Sequence, residues 1–380
     1  MAGPSIDIIQ SDAADADFVD LPYQLYKDEP SWQAPLRMER THQISPDHNP
    51  VARQMRPTFI KARRNGQTIG RISAFINADY DKHYGADTVF FGYFDCIEDV
   101  AVEDALLGKA IDWAKATGRQ KILGPCMWSV NEEVGLLVSG FEHPNVVMMP
   151  FGRPQHQIAV ERHGFGKAID LYAYIADLRD GAPKNRIVKR LCRIPQNDPD
   201  IHWRPLDRKN FDRDVAIAFE IFNDAWSGNW GFVPFSEEQF KKMAADMKPI
   251  MFDEGCQIGF IDGEPAAFIW MIPDVNAAAS GLNGRLFPTG WARFLYRVKT
   301  KKVRMGRIPL MGLRKKYHGN PRGTGLVTQI CYDSFEGGHA QGFDACELSW
   351  ILEGNESMKA ICNLASAELY KTYRMYERAL

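Results

Sequence analysis

Cysteine is scarce and unpatterned. Seven residues (Cys96, Cys126, Cys192, Cys256, Cys331, Cys346 and Cys362) are scattered over 380, with no C-x-x-C pair and no histidine at zinc-finger spacing. This excludes a disulfide scaffold and a structural zinc module; the expectation is buried free thiols in a reducing cytoplasm, and no metal. Long apolar runs are missing as well: none approaches the ~18 residues that a bilayer span requires. The opening MAGPSIDIIQSDAADADFVD lacks the basic and apolar regions of a secretory signal. The expected location is therefore cytoplasmic, either free or peripheral on the inner membrane. A surplus of either charge is also lacking, with 46 Lys+Arg against 48 Asp+Glu, so the average charge does not announce a nucleic-acid binder.

What is present is an ordinary globular composition, 45% hydrophobic and 25% charged, which excludes disorder; the length predicts two domains. Self-comparison shows how they are made. Leu21–Leu36 (LPYQLYKDEPSWQAPL) and Phe219–Phe235 (FEIFNDAWSGNWGFVPF) are both an aromatic-rich helix, a Trp, then Pro beside an apolar residue. Thr58–Asn77 and Cys256–Asn276 are both β-patterned pairs around Asn65-Gly66 and Asp262-Gly263, strong type I′ hairpin signals. KILGPCMWSVNEE and CELSWILEGNES complete a third match in the same order. The chain reads as a duplication, with units at 1–185 and 195–380 joined between Asp180 and Ile201. Each runs helix, hairpin, strand, amphipathic helix (Val102–Thr117, Leu326–Gln341), strand, short helix, final strand.

This order resembles two tandem GNAT (acyl-CoA N-acyltransferase) domains, an α/β (α+β) fold with mixed central sheets. The segment HGNPRGTGL resembles the acyl-CoA loop of that family, usually Q/R-x-x-G-x-G/A, with Asn320 standing where Gln or Arg is usual. The resemblance assigns Gly319, Asn320, Arg322, Gly323, Thr324 and Gly325 to acyl-CoA. Physically, glycines let backbone N–H groups approach a pyrophosphate at a helix N-terminus; alone, the pattern equally suits an ordinary helix-start turn. The matching stretch of the first unit, DCIEDVAV, carries three acids and no glycine. An acidic turn repels phosphate, so the first unit is expected to be a scaffold or acceptor-site wall.

No Asp or Glu lies between Val275 and Tyr332, while twelve Lys and Arg do. Within this basic insertion (282–316), Trp291–Arg304 wound as a helix places Trp291, Phe294, Leu295 and Val298 on one stripe beside Arg293, Arg297, Lys301 and Arg304. Such a helix suits an anionic membrane surface or lipid substrate, packing on its own domain, or nucleic acid.

For chemistry, strand alternation in DACELSWIL puts Glu347 and Ser349 on one face. A carboxylate within an apolar strand is a candidate base for deprotonating an amine, or a structural partner for a neighbouring Arg. Tyr370 and Tyr373 stand where the GNAT resemblance places a tyrosine acid. Asn355 either bonds the cofactor or caps a helix, and His339 reads as a helix C-terminal dipole partner. Asn131, Glu132 and Glu133, ahead of VGLLVSGF, could hold an amine head group beside its alkyl chain or form a surface loop. The blocks GPCMWSVNEEVGLLVSGF, FDACELSWILEGN and ELYKTYRMYERAL resemble bacterial GNAT-type ceramide synthases. That resemblance implies transfer from a long-chain acyl-CoA to the amine of a sphingoid base (3-ketosphinganine or sphinganine), with no nucleic acid as partner. Alternatives are a Fem-type aminoacyl-tRNA-dependent transferase, an acetyltransferase of another small amine, and a non-catalytic lipid-binding protein.

Overall fold

A computed structural model describes residues 5–380. The chain divides into two compact units, and neither is a continuous half.

Residues up to Leu171, with Ala279–Gly290 and Lys371–Leu380, make the first unit. Its elements are β1 (Asp7–Ser11), α1 (Ala16–Leu25), α2 (Arg37–Ile44), β2 (Met55–Arg64), β3 (Gln67–Asn77), α3 (Ala78–Tyr84), β4 (Thr88–Cys96), α4 (Val100–Ala116), β5 (Lys121–Gly124), β6 (Leu136–Ser139), α5 (Pro154–Arg162) and the start of β7 (Gly166–Asp177). Strands β1 to β4 pair antiparallel, and β4 pairs β5 parallel over Thr88–Phe90. The expected hairpin turn is present: Asn65 and Gly66 have φ of 53° and 79°, the two left-handed residues of a type I′ turn. Helix α4 starts where Asp99 accepts from Ala101 N–H, and it lays Val102, Leu106, Leu107 and Ala110 on a core with Ile60, Ile72 and Phe91.

Tyr172–Ala278 and Trp291–Tyr370 make the second unit. It contains α6 (Arg186–Gln196), β8 (Ile201–Pro205), α7 (Phe211–Trp226), α8 (Glu237–Met247), β9 (Cys256–Ile261), β10 (Glu264–Pro273), α9 (Val275–Ala278), most of α10 (Gly290–Lys299), β11 (Met305–Leu313), α11 (Pro321–Ala340), β12 (Ala345–Leu352), α12 (Glu356–Leu364) and the start of β13 (Glu368–Ala379). Strands β8 to β11 pair antiparallel and β11 pairs β12 parallel. Asp262 and Gly263, at φ of 55° and 77°, form the second type I′ turn. Both units thus share the order hairpin, strand, helix, parallel strand.

Two boundaries differ from the sequence-based division. The last strand does not close the second unit: Tyr376–Ala379 of β13 pair antiparallel with β5 of the first. Residues 279–290, placed partly within the basic insertion, likewise belong to the first unit. The basic helix is shorter than Trp291–Arg304. Lys301 takes φ of 54°, its N–H bonds Val298 O and that of Lys302 bonds Arg297 O, a Schellman closure that ends α10 at Lys299.

All seven cysteines are free and buried. Burial pushes the thiol of Cys192 up to about 11 and those of Cys256, Cys331 and Cys362 to about 12, so none is a thiolate at neutral pH. Among the described residues, no helix is long and apolar enough to cross a membrane.

Candidate functional site

Strand β11 carries a proline at its fifth residue. Its pairing with β12 runs from Met305–Ala345 to Ile308–Leu348 and stops there, at Pro309, which has no N–H to offer a ladder. Both strands continue, β11 to Leu313 and β12 to Leu352. With no partner in β12, the Met311 carbonyl accepts from Trp226 Nε1 at 3.0 Å. The gap is a cavity of about 360 Å³ whose walls include Pro309, Met311, Leu348, Trp350, Val327 and Ile361, with no Asp, Glu, Lys or Arg among them. At its polar end lie Thr324 in the first turn of α11 and Asn355 and Ser357 at the start of α12, so two helix N-termini converge on an uncharged slot.

The expected loop residues divide between this cavity and packing. Asn320 caps α11 by accepting from Arg322 N–H at 2.9 Å, and Pro321 opens the helix, five residues ahead of the expected Leu326. Gly323 and Gly325 are therefore helical rather than in a loop. A Cβ on Gly323 would lie 2.4 Å from Tyr317 O, and one on Gly325 2.9 Å from Ile194 Cβ, so these glycines admit close packing. Arg322 is engaged by Asp198 and Asp262 at 2.8 and 2.9 Å. Gly319, at φ of 68° with open space around it, lines the cavity with Thr324 and Asn355. Asn355 also caps α12, accepting from Met358 N–H at 3.1 Å.

Register places Arg307 of β11 directly opposite Glu347 of β12. Both are buried, with 3.6 Å between Arg307 Nε and Glu347 Oε1. Ser349 donates to Glu347 Oε1 and accepts from Arg307 Nε at 3.0 Å, while Tyr370 donates to Glu347 Oε2. Glu347 sits in an apolar strand yet is surrounded by an arginine, a serine and a tyrosine. Glu347 does not line the cavity, whereas Ser349 does. Tyr373, three residues from Tyr370 on the same strand, falls on the opposite face; it is fully buried in the first unit beside Gly135. Sequence reasoning missed Arg307 and Ser349 as site residues. A lone charge in the apolar run MGRIPLMGL was the available signal for Arg307.

Asn131, Glu132 and Glu133 lie on the excursion between β5 and β6. Glu133 pairs with Arg40, and Glu132 accepts from Asn49 Nδ2 at 3.1 Å and Gln43 Nε2 at 3.4 Å. His339 Nδ1 lies 2.8 Å from Leu178 O, away from the cavity. Of the expected membrane contacts, Trp291 and Arg293 are exposed on α10, with Leu295 and Tyr296. Phe294 packs inward on the core. Arg297 donates to Ala278 O at 2.8 Å; Lys301 and Arg304 lie beyond the helix, on Ala340 O and Asp344.

The fold is that of tandem GNAT proteins. The chain covers 99% of itself and 98% of a tandem GNAT protein from the clavulanic acid biosynthesis pathway at a TM-score of 0.58 and 12% identity. A GNAT protein from Sphaerobacter thermophilus matches over 98% of this chain and 95% of its own at a TM-score of 0.53 and 12% identity. No protein-family model matches. Among curated sequences, bacterial ceramide synthase of Caulobacter vibrioides is 38% identical over 96% of this chain and 94% of its own. Protein YghO of Escherichia coli is 38% identical over 96% and 92%. The chain belongs to the family of bacterial ceramide synthases, and it is an acyltransferase of the GNAT type.

Burial raises the carboxyl of Glu132 to about 7, against the hydrogen bonds from Asn49 and Gln43. A carboxyl whose pKa is raised on folding contributes its stability below the unfolded value near 4.5; that stability is lost as pH rises through about 7. Glu132→Gln should therefore raise Tm more at pH 8 than at pH 4. Equal shifts at both, measured by thermal denaturation, would contradict this assignment.

Proposed function

We propose that the second unit transfers a long-chain fatty acyl group from acyl-CoA to the amine of a sphingoid base, 3-ketosphinganine or sphinganine. The observation that carries this reading is the uncharged, apolar slot between the parted strands. It suits the extended pantetheine arm and thioester of a donor whose pyrophosphate rests on the N-termini of α11 and α12 near Gly319, Thr324 and Asn355. The 38% identity with a protein named bacterial ceramide synthase supports the substrate class.

In this reading the neutral amine attacks the thioester carbonyl, the C–N bond forms and the C–S bond breaks. The amine proton passes through Ser349 to Glu347, which Arg307 keeps in place; Tyr370, bonded to the other carboxylate oxygen, gives its proton to the leaving thiolate and takes one back from Glu347. No metal is called on. The products are the N-acyl base and free CoA.

The base and the acyl chain reside in membranes, and α10 supplies a face for reaching one. Trp291, Leu295 and Tyr296 are 47%, 41% and 55% exposed, next to the exposed cations Arg293, Lys299 and Lys302. Near an anionic leaflet each cation is worth ~1 kcal/mol.

Incubation with palmitoyl-CoA and a long-chain base should release free thiol and give an N-palmitoyl product by mass spectrometry. Thr324→Asp, which keeps a good first-turn residue but sets a carboxylate at the phosphate site, should weaken palmitoyl-CoA binding at least ~10-fold. Glu347→Gln should lower kcat by roughly 10² to 10⁴, and Ser349→Ala by at least ~10-fold, with donor affinity unchanged. Near-normal turnover in both would remove the proton relay.

Replacing Arg293, Lys299 and Lys302 by Glu should abolish cosedimentation with phosphatidylglycerol vesicles at low salt. Wild-type protein that ignored such vesicles yet bound tRNA tightly would point instead to a Fem-type transferase.

A further inference from the structure

The proposed chemistry employs the second unit and leaves the first without a ligand. In the first unit the gap between the parallel strands is closed: Cys126 N–H donates to Phe91 O at 2.9 Å, and a Cβ on Gly92 would lie 1.9 Å from Cys126 O. No pantetheine can thread there. The face covered by α1 and α2 nevertheless retains a cavity of about 60 Å³, which holds a head group of a few heavy atoms but not a chain.

Its walls are unlike those of the acyl-CoA slot. Arg40 pairs with Glu133, and Arg71 Nε with Asp95 at 2.8 Å; Tyr26 donates to Asp95 at 2.7 Å. Burial opposes ionisation of Asp95, but Arg71 and its hydrogen bonds outweigh it and hold the carboxyl below the usual range. The two ion pairs cancel, so the cavity carries no net charge.

Two of the residues that line the cavity carry a buried polar atom with no hydrogen-bond partner, Tyr93 Oη and Glu133 Oε2. These residues are only 3% and 7% exposed. Orphaned buried polar atoms of this kind cost stability unless something satisfies them. Burial, with Glu132 and Glu133 nearby, pushes the Tyr93 phenol well above its ordinary value, so it stays a donor. Tyr93 also holds φ of 51°, a left-handed backbone that an aromatic residue within a strand rarely adopts.

We propose that the first unit carries a second, non-catalytic site that binds the amino-alcohol or amino-ketone head of the long-chain base. Tyr93 Oη donates to its hydroxyl or carbonyl oxygen, and Glu133 Oε2 accepts from the neighbouring N–H. One donor and one acceptor in the lining of one small cavity suit a molecule that bears an oxygen and an amine close together. Phosphate is disfavoured by Glu133 and Asp95, and an alkyl group would leave both orphans unsatisfied. The choice of this head group rests on the acceptor proposed above.

The test is calorimetric titration of the full chain with a short, soluble 2-amino-1,3-alkanediol. Wild-type protein should bind it, and octylamine, which lacks the oxygens, should bind at least ~10-fold more weakly. Tyr93→Phe, which removes only the hydroxyl, and Glu133→Gln, which keeps the shape, should each weaken aminodiol binding at least ~10-fold while leaving palmitoyl-CoA titration unchanged. Aminodiol affinity indifferent to both substitutions, or no binding by wild-type protein, overturns the proposal and leaves the cavity to ordered water. Thiol release failing with every base, while Tyr93→Phe still abolishes aminodiol binding, would overturn the reading of the second unit and not this one.

Discussion

A missing N–H organises the second unit. Pro309 cannot extend the ladder that Met305–Ile308 form with Ala345–Leu348, so two parallel strands that start together part midway. Everything placed around the cleft depends on that parting. The freed Met311 carbonyl must find Trp226, and that indole in turn packs on Trp350 at 5.6 Å between ring centres. The helices that follow each strand then begin on the two sides of the opening. In the first unit, where no proline sits at the equivalent place, the strands stay in contact and the cleft does not form.

The four paired residues just before the parting do different work. They set Arg307 against Glu347, and because both are buried neither is tolerable alone: an unpaired charge there would cost several kcal/mol. The pair is held by Ser349, which bonds both partners and also faces the cleft. A buried carboxylate is thereby connected to the site without touching it. The first unit has its own buried pairs, Arg40–Glu133 and Arg71–Asp95, but around a smaller and more polar space.

Local features of the fold were legible from the residues. Asn65-Gly66 and Asp262-Gly263 announced their turns because φ > 0 at two successive positions admits few residue types. The duplication was visible because each unit repeats the same aromatic helix and hairpin. What depended on contacts distant in sequence was not legible. Gly323 and Gly325 looked like a phosphate loop, and only the approach of Ile194 and Tyr317 shows that they permit packing. Arg307 and Glu347 are neighbours through register, which neither strand carries by itself. Tyr93, Arg40 and Glu133 converge from three separate segments, and only the acidic pair Glu132-Glu133 gave any hint of them. The end of β13 read as the close of its own half because nothing local distinguishes one sheet edge from another.

That strand has a consequence for how the protein is made. Chains usually fold domain by domain as they leave the ribosome, the earlier domain first. Here the first unit lacks Lys371–Leu380 until all of the second has been synthesised. During translation β5 therefore presents an unpaired edge along Lys121–Gly124, a template for pairing with another nascent chain. The order of synthesis is thus opposed to the order of completion: the first unit, although it has its own core, is finished only after the second has been made.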